Sequence, residues 1–129
     1  MANPAAKSQR VFKTAWFSKA SAKALITDTE LCFAIRQVML GQCDDLGGGV
    51  FKKRLDKNRS RSIILAKGAR YWVYAYLFAK KDKANIEKQD LADLRALAAV
   101  YARKSEAEIA TELHQKKLVE ICHDQESQI

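Results

Sequence analysis

Lys52 and Arg54, two positions apart in the segment VFKKRL, are the residues of this chain best suited to phosphate chemistry. In a strand, side chains two residues apart share a face at about 7 Å. The pair therefore presents two cations to one side. Both lie in a basic stretch, residues 50–83, where Lys52, Lys53, Arg54, Lys57, Arg59, Arg61, Lys67, Arg70, Lys80, Lys81 and Lys83 face only Asp56 and Asp82. Eleven basic against two acidic residues give +9, leaving −1 for the rest of a chain whose total is +8. Charge concentrated in this way suits a polyphosphate partner.

Such a cluster can bind phosphate or act on it. Metal-free cleavage of RNA requires loss of the 2′-hydroxyl proton, stabilisation of charge building on the phosphate, and protonation of the leaving 5′-oxygen. Crowding by like charge favours the neutral form of a lysine, which can then serve as base. Arginine keeps its proton and forks onto phosphate oxygens. A basic sheet face is more often a plain binding surface, so both readings stand at this level. Tyr71, Trp72, Tyr74, Tyr76 and Phe78 can stack on bases, although alternation sends about half of them into a core.

The elements that must hold these side chains follow from periodicity. Residues 11–17 (VFKTAWF) read as a strand and 18–25 as a short helix. Thr27 and Glu30 form a capping box for a second helix to about Leu40, with Leu31, Ile35, Val38 and Met39 inward and Gly41 as its stop. DDLGGG, residues 44–49, reads as turn or irregular backbone. Residues 50–55, 61–66 and 70–79 read as a three-stranded antiparallel meander, with Gly68 turning the second connection. Lys52 and Arg54 then share one face, and Lys53 shares the other with Phe51 and Leu55. In hairpin order, Arg61 at the start of one strand and Lys80 and Lys81 at the end of the next come together. Residues 89–104 resume helical period, with Leu91, Leu94, Ala98 and Tyr101 on a stripe and Leu97 beside it. Ser105 and Glu108 cap a last helix carrying Ile109 and Leu113. The order is β-α-α-β-β-β-α-α, an α+β domain.

Length, 129 residues with 48% hydrophobic content, predicts one core. No apolar run is long enough to span a bilayer and the first residues lack a secretion signal, so the expected location is the cytoplasm, away from membranes. Cys32, Cys43 and Cys122 form no CxxC pair, which predicts three reduced thiols, with Cys32 packed in its helix, and no zinc site. His114 and His123 belong to no hydrolytic or metal motif, and GGG at 47–49 lacks the Lys-Ser or Lys-Thr of a phosphate loop. No metal or cofactor is expected.

Taken in order, DDLGGGVFKKRL, SRSIIL, RYWVYAYLFAKKDKANI and DLADLRALA resemble the RelE/HigB branch of bacterial toxin–antitoxin toxins, within the RelE/ParE superfamily. The resemblance covers about residues 11–104, with residues 1–10 expected as a flexible N-terminus and 105–129 as a C-terminal helix and tail. It implies a curved antiparallel sheet flanked by helices, and an endoribonuclease that cuts messenger RNA, commonly in the ribosomal A site. It also implies a cognate antitoxin, of helix-turn-helix or acidic type. Lys52 and Arg54 match the family's basic pair on the second strand, Arg61 the arginine opening the third, and Lys81, after Lys80, the basic ending of the fourth. The resemblance puts Lys52 or Arg54 near the 2′-hydroxyl, with Lys52 the better base because arginine does not readily lose its proton, and makes Arg61 the stabiliser of the phosphorane and Lys81 the supporter of charge or donor to the leaving group. Lys53, Lys57, Arg59, Arg70, Tyr76, Lys80 and Lys83 are the expected RNA-binding residues. A tyrosine that stacks on the substrate base after the last strand has no counterpart, because the chain there reads Asn85-Ile86-Glu87; Tyr76 is the candidate substitute. Two alternatives remain: a ParE-like inhibitor of DNA gyrase, and a non-catalytic nucleic-acid-binding protein.

Overall fold

A computed structural model describes residues 9–68 and 70–122. The order is β1 (Arg10–Thr14), α1 (Ala15–Lys23), α2 (Asp28–Met39), β2 (Asp44–Gly47), β3 (Val50–Leu55), β4 (Ser60–Lys67), β5 (Tyr71–Ala79), α3 (Lys88–Ala102), α4 (Glu106–His114) and β6 (Leu118–Ile121). The α+β class and the β3-β4-β5 meander are as expected. The six-stranded sheet runs β2-β3-β4-β5-β1-β6, with β1 parallel to β5 and every other pair antiparallel.

Strand alternation feeds two cores, one on each face of the sheet. Val11, Ile64 and Tyr74 pack with α1 and α2 through Phe17, Leu31 and Ile35. Their chain neighbours Phe12, Ile63 and Val73 point the other way, onto Ala98 and Tyr101 of α3 and Ile109 of α4. β4 is consequently buried from Ser60 to Leu65, as a central strand covered on both sides should be. Leu97, beside the buried stripe of α3, is 37% exposed.

Four local expectations are corrected. The first strand ends at Thr14, whose hydroxyl accepts from the Phe17 N–H at 3.1 Å and starts α1, so Trp16 and Phe17 are helical. DDLGGG is only partly irregular, because Asp44–Gly47 forms the edge strand β2, with a register shift between Asp45 and Gly47 before the glycine turn. Arg95 of α3 clasps that turn, donating to the carbonyls of Leu46 and Gly47, and its Cγ would lie 3.0 Å from a Cβ added at Gly48. Thr27 caps α2 by accepting from the Glu30 N–H, but the Glu30 carboxylate accepts at 2.6 Å from the Asp56 N–H, tying α2 to the β3–β4 turn. The Ser105–Glu108 box, by contrast, is reciprocal.

The fourth correction concerns the thiols. Cys32 and Cys122 form a disulfide, Cα–Cα 5.4 Å, across a sequence separation of 90, and Cys43 alone is free. β6 pairs with β1, and this lays the residue after it against buried Cys32 of α2. No local spacing rule reports so distant a pair. Residues 105–121, set apart above as helix and tail, supply Ile109 and Leu118 to the core and β6 to the sheet. Residues 1–8 of the expected flexible N-terminus, Ala69, and His123 onward lie outside the described residues; Arg10 is in β1.

Candidate functional site

The register of β3, β4 and β5 lines up two rows on the α3 side of the sheet. Arg54 pairs with Arg61 and Arg61 with Phe78; Lys52 pairs with Ile63 and Ile63 with Tyr76. The second row depends on a register shift in β5 opposite Ile63 and Ile64, where Ile64 pairs with Tyr74 and Ile63 with Tyr76. One extra residue reverses which face the following side chains take. Tyr76 therefore joins Phe78 and Ile63 rather than Tyr74 and Trp72.

Arg61 is 7% exposed, and its Nη1 donates to the carbonyls of Asn58 (3.1 Å) and Ser60 (3.3 Å). Among the described residues it forms no ion pair, nor does its exposed neighbour Arg54. The β3–β4 turn that supplies the Asn58 carbonyl has three successive non-glycine residues at positive φ, Asp56 (55°), Lys57 (51°) and Asn58 (72°). Each costs roughly 1–2 kcal/mol in the left-handed region. Glu30, the Arg59–Asp56 pair (2.8 Å) and Arg61 itself hold the turn in that shape. The hydrogen bonds from Arg59 keep the Asp56 carboxyl below its ordinary range.

Lys52 sits beside Asp44 of β2, Nζ to Oδ2 3.6 Å. The two, with Gln42, Cys43, Lys53 and Arg54, line a cleft of about 320 Å³. Burial pushes the Cys43 thiol up, against the pull of Lys53. Lys53 emerges on the opposite face from Lys52 and donates to the Gln42 carbonyl at 3.0 Å.

Past β5 the chain folds back so that the Lys80 N–H donates to the Arg59 carbonyl at 2.8 Å. This brings exposed Lys80 and Lys81 to the end of the sheet that holds Arg54 and Arg61. Lys83 turns inward: its Nζ donates to the Tyr76 hydroxyl (3.3 Å), lies 3.5 Å from Asp90 of α3, and sits over the rings of Tyr76 and Phe78. The Tyr76 hydrogen bond, reinforced by Asp90 and Glu87, raises the Lys83 pKa. Lys57 and Arg59 stand exposed on the neighbouring turn. Arg70 is not part of this group. It precedes Tyr71 at the opposite end of β5, where its guanidinium lies 5.8 Å from the Tyr71 ring.

Two side chains at this end were not singled out by the sequence. Asp44 follows from reading DDLGGGVFKK as a hairpin, which sets it opposite Lys52. Trp16, 51% exposed and 5.2 Å from the Tyr76 ring, was concealed by assigning it to a strand.

A family model for the RelE toxin of the RelE/RelB toxin–antitoxin system matches residues 9–121. The chain belongs to the RelE toxin family. It is a toxin of a toxin–antitoxin system, and a cognate antitoxin is the partner this membership implies. The match runs through α4 and β6, well past residue 104. Comparison with curated proteins and with solved structures returns no match. Among the described residues of this RelE-family toxin no helix is long and apolar enough to cross a membrane, and no three His, Cys, Asp or Glu side chains gather to hold a metal ion.

Proposed function

We propose that this toxin is a metal-independent endoribonuclease that inhibits translation by cutting messenger RNA in the ribosomal A site, in the cytoplasm, until its antitoxin covers the cleft. The observation that carries the reading is the cross-strand Arg54–Arg61 pair, two arginines without a carboxylate partner among the described residues, next to Lys52 on the same face. Two backbone carbonyls orient Arg61 without neutralising it. A phosphate is the complementary ligand for such a fork.

Arg61 is the clamp on the charge that builds at the phosphorus, with Arg54 beside it. Lys52 is the base for the 2′-hydroxyl, with the Asp44 carboxylate 3.6 Å from its Nζ. Lys81, with Lys80, supports charge on the leaving 5′-oxygen or protonates it. Lys57, Arg59 and Lys83 extend the cationic track for the RNA backbone, whereas Lys53 and Arg70 contact it only if the strand wraps beyond this face.

The test is a translating system supplied with purified toxin. Messenger RNA is expected to be cut within codons at the ribosome, and the Lys52→Ala, Arg61→Ala double variant to leave it whole. Intact RNA with inhibited supercoiling by gyrase would overturn the reading in favour of a ParE-like activity. Intact RNA bound in a strongly salt-dependent way would reduce the chain to a binding protein.

A further inference from the structure

We propose that Glu30, on α2, is a positioning residue for Arg61: its carboxylate holds the β3–β4 turn in the shape that aims the guanidinium at the reacting phosphate. This rests on the RNA-cleaving reading above. It makes the cleavage rate depend on α2, an element that supplies none of the site's cations.

The sequence TDTE fits a capping box, in which the fourth side chain turns back to the start of its own helix. Glu108 does this, accepting from the Ser105 N–H at 2.8 Å. Glu30 does not: Thr27 caps α2 without it, and the Glu30 carboxylate reaches the Asp56 N–H, 26 residues further along the chain. The base of this strut is firm. Leu31, the next residue, is fully buried, and its carbonyl accepts from the Tyr74 hydroxyl at 2.7 Å. Arg59, the other partner of Asp56, belongs to the turn itself and has 69% of its side chain exposed.

The turn needs such a strut. Asp56, Lys57 and Asn58 occupy the left-handed region in succession, and non-glycine residues stay there only where their surroundings impose it. Asn58, the last of them, supplies the carbonyl that accepts from Arg61 Nη1. Because Arg61 forms no ion pair among the described residues, the Asn58 and Ser60 carbonyls set its direction. A turn released from Glu30 relaxes toward right-handed backbone and withdraws the Asn58 carbonyl. Arg61 then keeps its charge and loses its aim. Lys80 shifts with it, since its N–H donates to the Arg59 carbonyl on the same turn.

Two readouts separate aim from stability: messenger RNA cleavage in a translating system, resolved into kcat and KM per folded molecule, and the guanidinium NMR signals of Arg61, assigned by their loss in Arg61→Lys. Glu30→Ala is expected to lower kcat about 10- to 100-fold, the scale for a group misplaced by about 1 Å, and to change KM less than about threefold. Glu30→Gln keeps an oxygen to accept from the Asp56 N–H and should retain most of the rate. Asn58→Gly takes left-handed backbone without strain, so adding it to Glu30→Ala should restore part of the loss. The Arg61 Nη protons should rotate slowly in the parent protein and in Glu30→Gln, and freely in Glu30→Ala. Glu30→Asp, whose carboxylate stops one methylene short, is expected to behave like Glu30→Ala and serves in its place if that protein does not fold. Parent-like kcat in the shortened variant, or a slowed kcat with unchanged Arg61 signals, would overturn the inference. Equal losses from Glu30→Gln and Glu30→Ala would overturn it too, because charge rather than the hydrogen bond would then be at work. A parent protein that cuts no RNA would sink the nuclease, and the Arg61 signals would then decide by themselves whether Glu30 aims the guanidinium.

Discussion

Arg10 and Arg61 lie toward opposite ends of β5 and are treated in opposite ways. Arg10 donates from Nε and Nη2 to the Glu120 carboxylate at 2.9 and 2.8 Å, with Glu106 3.6 Å from Nη1. Around it, Tyr71 bonds Glu106, Lys67 donates to the Ala102 carbonyl, and Lys104 pairs with Glu112 at 2.8 Å. At the other end Arg61 is more deeply buried, yet carbonyl oxygens are its partners. Taking a guanidinium out of water without a counter-ion costs several kcal/mol. Carbonyls recover part of that, and an arriving phosphate would recover more. One end pairs its arginine with carboxylates to hold the fold; at the other, Lys52, Arg59 and Lys83 are paired, but Arg54 and Arg61 form no ion pair among the described residues and keep their charge for a ligand.

The strongest way to break this contrast is to remove the unneutralised charge. Arg61→Ala should slow RNA cleavage about 10²- to 10³-fold, or roughly 2.7–4 kcal/mol of lost transition-state stabilisation. Adding Lys52→Ala should make cleavage undetectable. Arg61→Lys keeps the charge but loses the fork, and should recover little. Arg10→Ala should leave the rate within a factor of two. A cleavage assay on all four variants decides the matter, and equal losses from Arg10 and Arg61 would erase the distinction.

Next in size is the disulfide, which belongs to the tied-down end because it pins the residue after β6 to α2. Cys32→Ser with Cys122→Ser opens a loop of about 90 residues and should cost roughly 2–5 kcal/mol in urea unfolding. Amide exchange should quicken in β6 and β1 while β3 and β4 remain protected. Cleavage by the folded fraction should not change. Loss of protection in β4 would mean that the two ends are one cooperative unit.

How far these two ends could be read from sequence differs for a physical reason. The Lys52–Arg54 pair and its meeting with Arg61 follow from period two and hairpin order, which are local. Tyr76 required the register shift opposite Ile63, and no alternation rule reveals an extra residue in a strand. β6 is four residues long and stable only beside β1, more than 100 positions earlier, so the Cys32–Cys122 bond and the Arg10–Glu120 pair were equally hidden. The short helix start at Thr14 concealed Trp16 in the same manner.

A smaller effect sharpens the comparison from the tied end. Glu120→Gln weakens a partly buried, two-pronged pair, and about 1 kcal/mol of stability should go with it, near the upper bound for exposed pairs. The melting temperature should fall by a few degrees with cleavage unaltered. A larger loss would place Arg10 among buried charges that cannot be left alone.

The smallest effect is confined to alkaline pH. Burial, with Glu112 beside it, pushes the Tyr101 phenol up to about 12 from its ordinary 10. A group whose folded pKa is raised contributes stability that is complete below the unfolded value. That contribution is lost as pH rises through the folded one. Stability should therefore decline between about pH 10 and 12 as the unfolded chain releases the proton more readily. Tyr74, also raised by burial, contributes with the same sign. Tyr101→Phe should flatten the decline without abolishing it, as read from urea midpoints across that range. Because the Tyr101 hydroxyl contacts Glu112, which pairs with Lys104, the change should be registered by α3 and α4 and not by the Arg61 turn. An unchanged slope in the variant would mean that Tyr101 is hydrated enough to titrate freely, and that the tied end is looser than its ion pairs imply.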